Sequence, residues 1–174
     1  MRWRVPGGVT YREPLLLLRN DGNGKMIDVS GESGEVFSKP VCGRGLAVGD
    51  LNNDGYPDVV VGVNGDAPLL LINNAASKNN WLGLHLVGTA ANPAAIGAII
   101  KWSAGGKVKS RLKRGGGSFM SSHDPPELLG LGETEELDWL EIHWPQPSSR
   151  VDRFTSIRPN QYLTLVEGKG IVGR

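Results

Sequence analysis

One cysteine, Cys42, stands among 174 residues. No disulfide can form within the chain, and no thiolate-rich zinc site can be built. Long apolar runs are missing as well. The longest block, residues 15–18, is strand-sized, far short of the ~18–20 residues of a membrane-spanning helix, so no membrane span is expected. Excess charge of either sign is missing. The 19 Lys and Arg balance 18 Asp and Glu at a net charge of +1, which gives no general pull toward nucleic acid or an anionic surface, so no nucleic-acid partner is expected. The start, Met1-Arg-Trp-Arg-Val-Pro-Gly-Gly, lacks the apolar stretch of a signal peptide. No segment carries a sustained 3.6-residue apolar period, which removes helical architectures.

Turns are abundant. With 25 Gly and 11 Pro, many short strands are expected. The stretch with most chemistry is residues 49–61, Gly-Asp-Leu-Asn-Asn-Asp-Gly-Tyr-Pro-Asp-Val-Val-Val. Asp50, Asn52 and Asp54 alternate, Gly55 follows, and Asp58 completes the set. Calcium takes about six to eight oxygen ligands, and one loop supplies most of them when every second side chain points inward before a sharp turn. Tyr56 offers its backbone carbonyl. An EF-hand would need a bidentate Glu at the twelfth loop position. That position is Val61, within a β-branched run, so the loop joins strand to strand. The expected cofactor is therefore calcium, with metal ligands Asp50, Asn52, Asp54, Tyr56 and Asp58.

The Asp-x-Asn-x-Asp-Gly-x-x-Asp core, its lead-in at residues 44–48 and the strand after it resemble the FG-GAP/VCBS repeat. The resemblance implies a calcium loop on a blade of an extracellular β-propeller. Arg44-Gly45-Leu46-Ala47-Val48 departs from the Phe-Gly pattern that names the repeat. A second trace of repetition supports a blade: residues 14–20 and 68–74 are near copies, Pro-Leu-Leu-Leu-Leu-Arg-Asn and Pro-Leu-Leu-Leu-Ile-Asn-Asn, 54 residues apart. A propeller needs roughly four to eight blades, and one blade cannot bury its own faces. Residues 1–78 are thus expected to be the end of a longer propeller, with self-association through the unclosed blade as one consequence. Asp21, Asn23 and Asp28 are expected in a solvated hairpin rather than in a second cation site.

Residues 75–80, small and polar, mark a boundary. Strands resume at residues 81–87, 96–102, 108–113, 137–144 and 161–166, and Ser103-Ala104-Gly105-Gly106 reads as a hairpin turn. The overall expectation is all-β: a partial propeller blade plus a small β-sandwich or barrel over residues 79–170. Asn79-Asn80-Trp81-Leu82-Gly83-Leu84, Ala95-Ile96-Gly97-Ala98, Leu131-Gly132 and Glu141-Ile142-His143-Trp144-Pro145 resemble the ASPIC/UnbV domain. That domain follows FG-GAP/VCBS repeats in secreted bacterial proteins and in the cartilage acidic protein family. Pro93 and Gln146-Pro147 depart from its pattern, which has Arg after the Asn and Pro-x-Gly after Trp-Pro. The resemblance implies a secreted or cell-surface protein whose signal peptide lies outside this chain.

Other candidates were weighed on their chemistry. Ser121-Ser122-His123-Asp124 has the letters of a catalytic triad, but triad members converge from separate segments. His85, His123 and His143 lack zinc-ligand spacing. Gly115-Gly116-Gly117 lacks the helix and Lys of a phosphate loop. Lys107, Lys109, Arg111 and Lys113 alternate along a strand, giving either a cationic ligand surface or a solvated outer face. Among Trp81, Trp102, Trp139 and Trp144, Trp139 is the best candidate to stack on a sugar, because Asp138, Leu140, Ile142 and Trp144 share the opposite face. The resulting expectation is a non-enzymatic calcium-binding extracellular module for a cell-surface or matrix protein or a polysaccharide. The alternatives are an enzyme or accessory protein of a biosynthetic pathway, which the UnbV name suggests through enediyne gene clusters, or a purely structural propeller cap. A deep pocket holding His123, Asp124 or Glu127 would favour the enzyme.

Overall fold

The structure is a computed structural model that describes residues 10–74 and 77–173. The expected start of the chain and part of the expected boundary, residues 75 and 76, lie outside the described residues. The fold is all-β, with several small sheets and no closed barrel.

The first part holds β1 (Leu18–Asn20) and β2 (Met26–Asp28), an antiparallel hairpin, then two short 3-10 turns. Asp21 accepts the N–H groups of Asn23 and Lys25, and Asp28 accepts the N–H and the hydroxyl of Ser30, so these acids cap the hairpin ends. A three-stranded antiparallel sheet follows: β3 (Gly43–Gly49), β4 (Asp58–Val63) and β5 (Leu69–Leu71), in that order. The acidic loop connects β3 to β4, strand to strand as its flanks require. Only Cys42 and Val61 are buried apolar side chains in this part, among the described residues. Leu16, Leu17, Leu18, Leu70 and Ile72 are exposed. A single blade-like unit with so little core depends on what packs against it.

The second part is a sandwich. Its strands are β6 (Asn80–Val87), β7 (Ile99–Ala104), β8 (Lys107–Leu112), the short pair β9 (Gly117–Ser118) and β10 (Ser121–Ser122), β11 (Glu127–Gly132), β12 (Trp139–His143), β13 (Val151–Phe154), β14 (Gln161–Val166) and β15 (Gly170–Gly173). One sheet runs β11-β6-β14-β15, with β6 and β14 parallel; the other runs β13-β12-β7-β8. The two-residue turn Gly105-Gly106, both at positive φ, closes β7 onto β8 as a tight hairpin should.

Alternation explains the core. Leu82, Leu84 and Leu86 of β6, Leu129 and Leu131 of β11, and Leu163 and Leu165 of β14 face Ile100 and Trp102 of β7 and Leu140 and Ile142 of β12. Each leucine or isoleucine so buried contributes about 1.5–3 kcal/mol relative to exposure. The opposite face of β6 carries Trp81, Gly83 and His85, and the first part docks on that face.

Candidate functional site

Local bonds close the acidic loop. Asp50 Oδ1 accepts the Asp54 N–H at 3.0 Å, and Asn52 Oδ1 approaches the same N–H at 3.3 Å. Asp54 accepts the Tyr56 N–H at 2.8 Å and the Asn52 amide at 2.7 Å. Asp58, fully buried, reaches back with Oδ2 to the Leu51 N–H (2.9 Å) and with Oδ1 to the Asn73 N–H (2.8 Å). These shared partners show the side chains of residues 50, 52 and 54 converging inside the turn, with Asp58 closing its base. Gly55 sits at φ +87°, a conformation glycine alone adopts at little cost.

The second part of the chain clamps this loop. Asp50 Oδ2 accepts the Gly55 N–H at 2.7 Å and the Tyr162 hydroxyl at 2.6 Å. A side chain on Gly55 would collide with the Trp81 indole, and one on Gly83 with the Tyr162 ring. The two rings lie 5.1 Å apart, tilted by 59°. Burial pushes the Tyr162 pKa up, and its bond to Asp50 and the charges of Asp50, Asp124 and Asp54 push it further. The hydroxyl therefore stays a donor at any ordinary pH.

The Ser121–Asp124 sequence lies along the free edge of β3. Ser121 Oγ donates to Leu46 O (2.6 Å), the Val48 N–H donates to His123 Nδ1 (3.3 Å), and the Asp124 N–H donates to Val48 O (2.9 Å). Those residues form a clip, and Ser122 Oγ points at the His123 carbonyl rather than at a ring nitrogen.

Between clip, loop and sandwich lies a cleft of about 1270 Å³, lined by Asp50, Lys113, His123, Asp124, Glu127 and Tyr162 among others. Sequence reasoning missed it, because its walls come from segments far apart in the chain.

The cationic stripe runs along β8 (Lys107–Leu112) into Lys113. Register pairs Arg111 with Ile100, Lys109 with Trp102 and Lys107 with Ala104. Directly opposed residues share a face, so the stripe lies on the core-facing side of β8, at the open edge of the sandwich. Lys109 Nζ donates to Gly130 O (3.2 Å) and Arg111 to Leu128 O (2.7 Å), while Lys113, buried, donates to Pro125 O and lies 3.8 Å from Glu127. Three of the four bridge the edges of the two sheets, their stems covering the core as long cationic side chains do. Lys107, Lys109 and Arg111 nevertheless remain exposed, and Arg111 and Lys113 line the cleft. The outer face of β8 carries Val108 and Leu112, which are exposed as well.

Trp139 is half-buried on the outer face, as its parity predicts. The Arg153 guanidinium, itself bonded to Glu141 (2.8 Å), sits 5.1 Å above its ring, so one stacking face is taken from within. Trp102 and Trp144 belong to the core. Among the described residues, no group of three or more His, Cys, Asp or Glu side chains stands where it could hold a metal ion. The reason is visible in the loop, where Asp50 and Asp58 turn their oxygens to backbone N–H groups. Any ion there would draw on amide and carbonyl oxygens too.

Comparison with known families matches residues 43–75 to the FG-GAP repeat and residues 88–172 to ASPIC and UnbV. The chain is an FG-GAP repeat followed by an ASPIC/UnbV domain. No curated protein matches it. The FG-GAP match takes in β3, the acidic loop, β4 and β5. The ASPIC/UnbV match takes in most of the sandwich, and Trp81 and β6 up to Val87 precede it. FG-GAP repeat domains are typically extracellular or surface-associated, and both domains are generally non-catalytic modules. No helix among the described residues is long and apolar enough to cross a membrane.

Proposed function

We propose that this chain is a calcium-dependent extracellular recognition module, built of a repeat unit over residues 1–78 and a β domain over 79–170. Asp50, Asn52, Asp54 and Asp58 would hold the ion with the Tyr56 carbonyl. One observation carries the reading. Three carboxylates, two of them buried, crowd one turn, and no Lys, Arg or His pairs with any of them among the described residues. Buried carboxylates need a compensating charge or full hydrogen bonding. Backbone N–H groups and the Tyr162 hydroxyl bond every oxygen of Asp50 and Asp58 but bring no positive charge, and a hard dication suits the all-oxygen donor set. Its charge would neutralise the loop and fix the β3–β4 connection.

Secretion, adhesion and a cell-surface protein or polysaccharide as partner go with this reading. The cleft is the recognition surface it favours, since Arg111 and Lys113 of the cationic stripe line it together with Tyr162.

The cleft also favours a second reading, an enzyme or accessory protein of a biosynthetic pathway, because it holds His123, Asp124 and Glu127 together. Within it Glu127 lies beside Arg111 and Lys113, and His123 Nδ1 takes the Val48 N–H. These ties favour binding over proton transfer.

Calorimetric titration of the full chain with calcium chloride tests the first reading. One saturable site, abolished by Asp54→Ala, is the expected result. Asp54 is exposed, so its loss leaves the buried packing alone. No heat of binding would overturn the reading.

A further inference from the structure

We infer that Tyr162 is a positioning residue for the loop, so that cation binding at residues 50–58 and docking of the ASPIC/UnbV domain on the repeat form one coupled equilibrium. The inference rests on the calcium reading of that loop and adds a residue 112 positions away from Asp50.

Asp50 opens the donor series, and its side chain is held from two sides. The loop's own N–H groups at Asp54 and Gly55 hold it from within, and the Tyr162 hydroxyl holds Oδ2 from the other domain. The Tyr162 ring cannot drift, because it packs flush on Gly83, where a Cβ has no room. Trp81 presses on Gly55 in the same manner, at the residue that makes the loop's turn. On the far side, the Asp124 side chain packs on Gly49, where an added Cβ would lie 2.7 Å from Asp124 Cβ. The loop, closed by its own hydrogen bonds, is thus also packed from outside at Gly49 and Gly55 and bonded at Asp50.

Groups that orient a metal ligand from outside typically change affinity 10–100-fold when removed. Coupling of this kind is reciprocal: whatever docking adds to cation affinity, the cation adds to docking.

The test is Tyr162→Phe in the full chain, which keeps the ring on Gly83 and deletes only the donor. Calcium affinity is read by calorimetry below the melting temperature of both proteins, so lost fold stability alone does not move it. The expected result is a Kd raised about tenfold. A second readout is trypsin cleavage at exposed Lys78 in the linker. Calcium should slow it in the wild type and slow it less in the variant at equal calcium concentration. A wild type that binds calcium, with a variant Kd within twofold and equal protection of Lys78, would overturn the coupling and leave the calcium site standing. A wild type that binds no calcium would overturn both.

Discussion

Glu167 offers a test independent of any ligand. It follows β14, is 3% exposed, and its Oε2 accepts the N–H groups of Thr89 (2.7 Å), Ala90 (2.9 Å) and Ala91 (2.9 Å). Burial, the largest single influence, raises its pKa. The Ser148 hydroxyl and the three N–H groups outweigh it and hold the carboxyl down at about 2, against an ordinary 4.5. Oε1 is buried with no hydrogen-bond partner, so Ser148 acts by proximity and the N–H groups carry the argument. That fall gives a ceiling of about 3 kcal/mol at 1.36 kcal/mol per pH unit. Thr89 and Ala90 are exposed, and water screening reduces the effect to about 2 kcal/mol. The sign follows from linkage: a depressed carboxyl stabilises fully above its unfolded pKa, and the contribution disappears as pH falls from about 5 toward 2. Glu167→Gln should lower the melting temperature by about 4–8 °C at pH 7, and the gap should close as pH approaches 2. Thermal unfolding across pH 2–7 reads this directly. A gap that stays constant down to pH 2.5, or a variant that melts with the wild type at pH 7, would refute the reasoning.

Two further substitutions separate packing from cation chemistry. Gly83→Ala should drive Tyr162 off Asp50, destabilising the chain by about 1–3 kcal/mol through overpacking and weakening calcium binding, as read by urea unfolding and calorimetry. Asp58→Asn should cost about 1–3 kcal/mol with or without calcium, because the amide nitrogen faces one of two backbone N–H groups and leaves it unsatisfied. Unfolding in chelator detects that loss, whereas Asp54→Ala should be nearly silent there.

Local pattern made much of the fold legible. The alternation in residues 81–87 and the Gly105-Gly106 turn announced β6 and the β7–β8 hairpin, since period and turn chemistry are carried by neighbouring residues. The strands β11, β13 and β15 went unread: Glu-Leu-Leu-Gly-Leu-Gly is glycine-broken, Val-Asp-Arg-Phe is short and charged, and Gly-Ile-Val-Gly has only two side chains to show a pattern. The acidic loop was readable as a strand-to-strand turn because its residues lie within nine positions. The clamp on it was not, because Tyr162 and Trp81 reach the loop only through the packing of two domains. The cationic stripe shows the limit of periodicity. Alternation says that Lys107, Lys109, Arg111 and Lys113 share a face, but only the register against Ile100 and Trp102 says that this face is the inner one.

The central claim is that the acidic loop is a calcium site that stabilises the fold. Melting of the full chain in 1 mM calcium and in chelator tests it most directly. With a Kd near 10⁻⁴ M, in the range of extracellular modules, binding stabilises by about 1.4 kcal/mol. That predicts a rise of about 3–6 °C in the wild type, absent in Asp54→Ala. Identical wild-type melts in calcium and chelator would contradict the account and leave residues 50–58 as a hydrogen-bonded turn.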